Sequence, residues 1–204
     1  MALSQPLKME VLDHNDAFEE LKEYDVVVGY ESESNELCNM LRNAGVDYVE
    51  VNLGESERLK AEFMKHFNVS KLPVLIIKGS PVSGDPSDKI REYAEEREGD
   101  ILRRIQSTVD PKRVTLFIKG SPENPKCGFT KTLMDILYSA GVTKDQIVYF
   151  DILSDEDVRR KLKEINSWPT FPQVYIGGRF IGGLDVVRKM SEKGELRREI
   201  QEII

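Results

Sequence analysis

Two halves of the 204-residue chain follow one pattern, and that duplication limits what the chain can fold into. Ala44-Gly45-Val46 recurs as Ala140-Gly141-Val142. In that register Leu37 and Leu41 fall on Leu133 and Leu137, and with a small shift Leu72-Pro73 falls on Phe171-Pro172. In the second half, the apolar run Val114–Ile118 reads as a buried strand. A helix is expected over 127–140, with Leu133, Ile136, Leu137 and Ala140 on one face and Gly141 as its C-cap. A strand over 146–150, a helix over 155–165, strands at 173–176 and 179–181 around Gly177-Gly178, and a helix from Leu184 onward complete the order βαβαββα. Strand-helix-strand units imply parallel pairing and the tight glycine turn an antiparallel hairpin, so each half is expected to be an α/β domain built on a mixed four-stranded sheet.

The first half repeats this order behind an extra helix over 15–23. Strands are expected at 25–30, 48–53 and 74–77, with helices at 31–44 and 55–67. A charged helix over 89–106 closes it, with Gly99 as a possible interruption. Thr108-Val109-Asp110-Pro111 is the expected seam, because a residue before proline is biased away from helix. The domains are therefore drawn at 1–107 and 108–204. The identical strings Lys78-Gly79-Ser80-Pro81 and Lys119-Gly120-Ser121-Pro122 follow different strands in their halves, and the match is read as chance.

The net charge of −7 argues against a general nucleic-acid binder, which needs a basic face. Two cysteines cannot form the disulfide framework of a secreted domain, and a lone reactive thiol suits a reducing compartment. No apolar stretch reaches the length of a membrane span, and the first residues lack a signal-peptide core. Cytoplasm, or cytoplasm and nucleus, is the expected location.

The chemistry is placed at Pro125-Lys126-Cys127-Gly128-Phe129-Thr130. A thiol at a strand-to-helix turn faces the positive end of a helix, which favours the thiolate that serves as nucleophile and metal ligand. For a single cysteine the competing reading is a small packed residue. That is the reading taken for Cys38, which lies two turns into its helix, opposite Met134. The helix register sets Glu31 opposite Cys127, so the first half lacks a thiol at this turn.

Residues 112–204 closely resemble the single-cysteine glutaredoxins, whose active site reads Cys-Gly-Phe-Ser. The likeness rests on Phe117-Ile118-Lys119-Gly120, Pro125-Lys126-Cys127-Gly128-Phe129, 167–175 (Ser-Trp-Pro-Thr-Phe-Pro-Gln-Val-Tyr) and Phe180-Ile181-Gly182-Gly183-Leu184-Asp185. Thr130 stands where the family has serine, keeping the hydroxyl and adding a methyl. No second cysteine is placed for a dithiol cycle. The first half resembles a degenerate thioredoxin-fold domain, as in multidomain members of the family, so two tandem thioredoxin-fold domains are expected.

The resemblance implies a site. Cys127 is the thiolate. Lys119 and Arg159 face the carboxylates of glutathione, with a solvated lysine and a charged helix face as rival readings and Arg160 as the neighbour passed over. Thr170 and Phe171 hold the tripeptide backbone beside a cis Phe171-Pro172 bond. The amides of Leu184 and Asp185 take a carboxylate, and Asp185 also meets the γ-glutamyl amine. The implied function is binding and transfer of a [2Fe–2S] cluster held between two protomers by Cys127 and glutathione. A BolA-like protein and apo iron–sulfur proteins are the implied partners, with neither nucleic acid nor membrane. The alternative is glutathione-dependent monothiol disulfide exchange, at most a weak oxidoreductase activity.

Overall fold

A computed structural model describes residues 7–8, 21, 23–32 and 35–203. The chain divides into two compact units, Met1–Arg97 and Glu98–Ile204. The first contains β1 (Leu7–Lys8), β2 (Val26–Tyr30), α1 (Asn35–Asn43), β3 (Val49–Asn52), α2 (Glu57–His66), β4 (Val74–Ile77) and β5 (Ser80–Pro81). The helix α3 (Pro86–Thr108) begins in the first unit and ends in the second. The second unit continues with β6 (Val114–Ile118), α4 (Gly128–Ser139), β7 (Ile147–Asp151), α5 (Glu156–Ile165), β8 (Gln173–Ile176), β9 (Arg179–Gly182), α6 (Leu184–Glu192) and α7 (Glu195–Gln201).

The second sheet runs β7-β6-β8-β9, with β6 parallel to β7 and antiparallel to β8. The first has the same four-strand plan, β3-β2-β4-β5, and adds β1 in parallel on the outer side of β3. That edge strand is a feature the sequence reading lacks. The expected helix over 15–23 lies almost wholly outside the described residues, where only Leu21 is seen as helical.

Both sheets are covered on two faces, which is why their central strands read as unbroken apolar runs. In β6, Leu116 packs with Leu133 and Leu137 of α4 and Val187 of α6. Its neighbour Phe117 packs on the opposite face with Val158 and Leu162 of α5. In β2, Val28 meets Cys38 and Leu41 of α1, while Val27 meets Phe63 of α2 and Phe67 at its C-cap.

Helix α3 revises two expectations. It runs unbroken through Gly99. Its apolar residues serve two cores: Ile90 and Tyr93 pack with Val26 and Leu75, whereas Ile101 and Ile105 pack with Phe117, Tyr175 and Leu162. The division therefore falls at Arg97/Glu98, inside the helix, and not at Thr108–Pro111. The second unit thus begins with the last part of α3. The helix expected from Leu184 onward is two helices, because Gly194 adopts φ +70° and starts α7 afresh.

The two lysine-glycine strings do occupy unrelated places. Lys78-Gly79 turns the β4–β5 hairpin, whereas Lys119-Gly120 leaves the central strand β6. The hairpin of the second unit turns instead at Gly177-Gly178.

Candidate functional site

Cys127 is the N-cap of α4. Its extended backbone (φ −151°, ψ 156°) lets the sulfur accept from the Thr130 amide at 3.4 Å, one of the donors a helix start leaves without an intrahelical acceptor. The Thr130 hydroxyl lies 3.2 Å from the same sulfur and accepts from the Lys119 amide at 3.4 Å. A thiolate can only accept, so the hydroxyl proton points to sulfur. Thr130 is fully buried, so its methyl is packed and the hydroxyl is held in place.

Burial of Cys127 pushes its thiol up. The Thr130 hydroxyl, the Thr130 and Phe129 amides and the charge of Lys119 outweigh that effect and hold the thiol below its ordinary value. Cys127 is half-buried, whereas Cys38 is buried in the core and hydrogen-bonds with Tyr48, whose hydroxyl is pushed well up by burial and by that contact. The two cysteines thus differ in access as well as in charge.

The turn before the thiol is folded back on the strand that precedes it. The Lys126 amide donates to the Lys119 carbonyl at 2.9 Å, and the Gly120 amide donates to Asp151 at 2.9 Å. Gly120 has φ +84°, and a β-carbon there would stand 2.4 Å from Asn124 O. Only glycine fits that conformation and that space. Phe129, beside the thiol, is 65% exposed.

The other expected residues fall as follows. The Phe171-Pro172 bond is cis, as is Leu72-Pro73 in the first unit. Thr170 is exposed, and its carbonyl accepts from Gln173 Nε2 at 3.4 Å. Leu184 is buried in the core, so its share in any site is its backbone, and Asp185 is exposed in the first turn of α6. No side chain caps α6, whose N-cap is Gly183. A β-carbon on Gly183 would stand 3.0 Å from Trp168 Nε1 and 3.3 Å from Pro172 O, which places the indole against the start of α6. Arg159 pairs with Glu156 at 2.9 Å and Arg160 with Asp157 at 2.9 Å, both within α5. Hydrogen bonds join Lys119, Thr130 and Cys127 directly, but the recorded ion-pair partner of Arg159 is Glu156.

Trp168, Gly120 and Asp151 are site-building residues that sequence reasoning assigned no role. Trp168 was within reach, since an indole between serine and proline beside a binding turn is a large side chain with a polar handle. Among the described residues, Trp168 Nε1 and Arg159 Nε are the buried side-chain polar atoms with no hydrogen-bond partner. Both are donors, so each lacks an acceptor such as a carboxylate or carbonyl oxygen.

A lone thiol held toward its thiolate caps a helix in a unit that also carries a cis-proline bond before β8, the arrangement of a single-cysteine thioredoxin fold. The sequence profile of the family described as Glutaredoxin matches residues 33–82 and 114–181, more than half of the chain and both units. The chain belongs to the glutaredoxin family, as a multidomain, monothiol member. Glutaredoxin 3 of Danio rerio is 33% identical over 171 residues, covering 80% of this chain and 51% of that protein. Glutaredoxin-3 of Homo sapiens is 32% identical, covering 80% of this chain and 50% of that protein. The chain thus spans about half the length of these curated relatives. Among solved structures, the solution structure of reduced poplar apo GrxS14 is 36% identical with TM-score 0.42, covering 52% of this chain and 92% of that one. The buckwheat glutaredoxin–glutathione complex is 23% identical with TM-score 0.46, covering 53% and 94%. Among the described residues no helix is long and apolar enough to cross a membrane.

Proposed function

We propose that this chain binds glutathione beside Cys127 and, with a second protomer, holds and hands on a [2Fe–2S] cluster. The observation that carries the reading is the isolation of Cys127: one half-exposed thiol held toward its thiolate, with the other cysteine buried in a different unit. Thiolates ligate this cluster. Among the described residues no group of three His, Cys, Asp or Glu side chains could hold a metal. As the family resemblance implies, Cys127 would supply one of four thiolate ligands, with two glutathione thiolates and a second Cys127 supplying the rest.

The chain's own residues bind and orient. Lys119 offers a cation to a glutathione carboxylate and to the sulfur. Arg159 keeps an unpartnered Nε, and the uncapped amides at Leu184 and Asp185 suit a second carboxylate. Thr170 and Phe171 lie at the bend where the peptide backbone would pair. The exposed Phe129 gives a second chain an apolar contact at the thiol. The partners in this reading are a second copy, a BolA-like protein and apo iron–sulfur proteins that receive the cluster. A reducing compartment such as the cytosol, or cytosol and nucleus, suits the lone thiol.

Anaerobic reconstitution with iron, sulfide and glutathione tests this. Cluster absorption and dimer mass should appear together, require glutathione and vanish in Cys127→Ser. Cluster retained by Cys127→Ser would sink the assignment. The lowered thiol pKa also favours a second reading, monothiol exchange. The Cys127 thiolate attacks the glutathionyl sulfur of a mixed disulfide and releases the substrate thiolate. A second glutathione thiolate then attacks that sulfur, freeing Cys127 and leaving glutathione disulfide. Substantial turnover in a deglutathionylation assay, with no cluster formed, would favour this reading over the first.

A further inference from the structure

The two sheets have four outer edges, and three of them are blunted. β1 has two residues, β5 has two and carries Pro81, and β9 contains Gly182 at φ +137° and pairs with β8 through a register shift at Val174/Tyr175. Such features discourage a further strand from adding. β7 has none of them. It is five residues long, Ile-Val-Tyr-Phe-Asp, with no proline, glycine or lysine. Its one charged residue, Asp151, has its carboxylate engaged by the Gly120 and Leu153 amides.

The first unit shows what this position accepts. Val27 pairs Val49 and Thr115 pairs Val148, so β7 is the counterpart of β3. On β3 that edge is covered by β1, and Val49 and Val51 are fully buried. On β7, Val148 and Phe150 are only half-buried and Tyr149 is 45% exposed.

The outward groups of β7 are self-complementary. Ile152 donates to Ile118 at 2.9 Å, so Phe150 and Val148, in phase with it, turn their backbone groups toward β6. Ile147, Tyr149 and Asp151 turn theirs outward. Two of those groups are already used, because the Ile147 amide donates to Lys144 and the Asp151 carbonyl accepts from Ser154. What is left fits an antiparallel copy centred on Tyr149: two Tyr149–Tyr149 bonds, and an Asp151 amide to each partner Ile147 carbonyl. Charge permits it. Residues 98–204 carry 18 Lys and Arg against 16 Asp and Glu, whereas residues 1–97 carry 11 against 20. Copies meeting through the second unit avoid the repulsion that the first would bring.

We infer that β7 is a homodimerisation edge, at which a second copy of this chain adds its own β7 in antiparallel register about Tyr149. This contact needs neither Cys127 nor a ligand, so it is separable from the cluster-bridged pair. Sedimentation equilibrium of the full chain, reduced and free of iron, sulfide and glutathione, tests it. A concentration-dependent dimer is expected, unchanged in Cys127→Ser. Tyr149→Pro removes the central outward donor at an edge where proline is tolerated, and should weaken the dimer roughly tenfold or more with unaltered circular dichroism. If Tyr149→Pro disturbs the fold, Tyr149→Lys should weaken the dimer in its place. A wild-type monomer at every concentration, or a dimer indifferent to the substitution at Tyr149, would overturn the inference.

Discussion

The two units share a sheet plan and a cis-proline bend, yet only one has a usable thiol, and the difference is a turn as much as a residue. Counted through α1 and α4, Glu31 falls on Cys127. Counted through the strands it does not. Val26 pairs Ile77 and Val114 pairs Ile176, four residues after Pro73 and Pro172, so Glu31 follows β2 as Lys119 follows β6. The first unit therefore lacks the whole folded-back turn that carries Cys127, and the expectation that Glu31 merely stands in for the thiol is corrected. Charge follows suit. Ser56 and Asp155 cap corresponding helices, which sets Lys60 where the second unit has Arg159. Two cations in the second unit thus become the Glu31–Lys60 ion pair in the first. Space follows as well. Gly54 has no room for a β-carbon, which would stand 2.0 Å from Glu31 O, whereas its counterpart Leu153 is 53% exposed. In the first unit the Glu31 backbone carbonyl therefore fills the space beside Gly54, while the Glu31 carboxylate is held by Lys60.

The largest expected contrast is between the cysteines. Alkylation of native protein at neutral pH should label Cys127 faster than Cys38 by roughly two orders of magnitude or more, since a buried group waits for an opening event. Cys127→Ser should abolish the fast phase, and equal rates in peptide mapping would break the distinction.

Thr130→Val keeps the shape and removes the hydroxyl. The thiol pKa should rise toward the ordinary range and the alkylation rate at pH 7 fall several-fold, while Thr130→Ser stays near wild type. The sign extends to stability. The folded thiol sits below its unfolded value, so the thiolate contributes stability above the unfolded pKa and loses it as pH falls through the folded one. Denaturant midpoints measured across that window should climb with pH in wild type and climb less in Thr130→Val.

Gly120→Ala sharpens the role of the turn. The positive φ alone costs roughly 1–2 kcal/mol, and the collision with Asn124 O adds to it. A lower melting temperature with slowed Cys127 alkylation is expected. A normal rate would show that the thiol does not depend on how the turn is folded.

Glu31→Lys has the smallest expected effect. It breaks an exposed ion pair, so the melting temperature should barely move. It places cations at both positions of the first unit without restoring the turn, so isothermal titration should show no new glutathione site. A new site would mean that charge, and not the turn, separates the units.

Much of this was readable from the chain. The α/β repeat, the hairpin at Gly177-Gly178 and the helix start at Cys127 follow from periodicity, glycine pairs and a thiol before a helical face. The N-capping sulfur is visible in sequence because the cap, the turn and the helix are neighbours along the chain. What was missed depends on distant packing. β1 is two residues whose strand character exists only through pairing with β3. Gly99 looks like a break until Ile101 and Ile105 are seen anchoring the helix beyond it. The double register of Glu31 could not be seen from one alignment, since helices and strands disagree by the length of the missing turn.

The apolar residues of α3 bear on where the chain can be cut. Ile101 and Ile105 are held in the second core, upstream of the proline at which a boundary would naturally be drawn. A fragment starting at Thr108 forfeits two isoleucines whose burial contributes roughly 1.5–3 kcal/mol each. That loss is a large share of the ~5–15 kcal/mol by which a domain is stable. Proteolytic excision of the thiol-bearing half should therefore yield a durable piece only when the scissile bond lies ahead of Glu98, so the peptide linking the two folds is itself part of the second one.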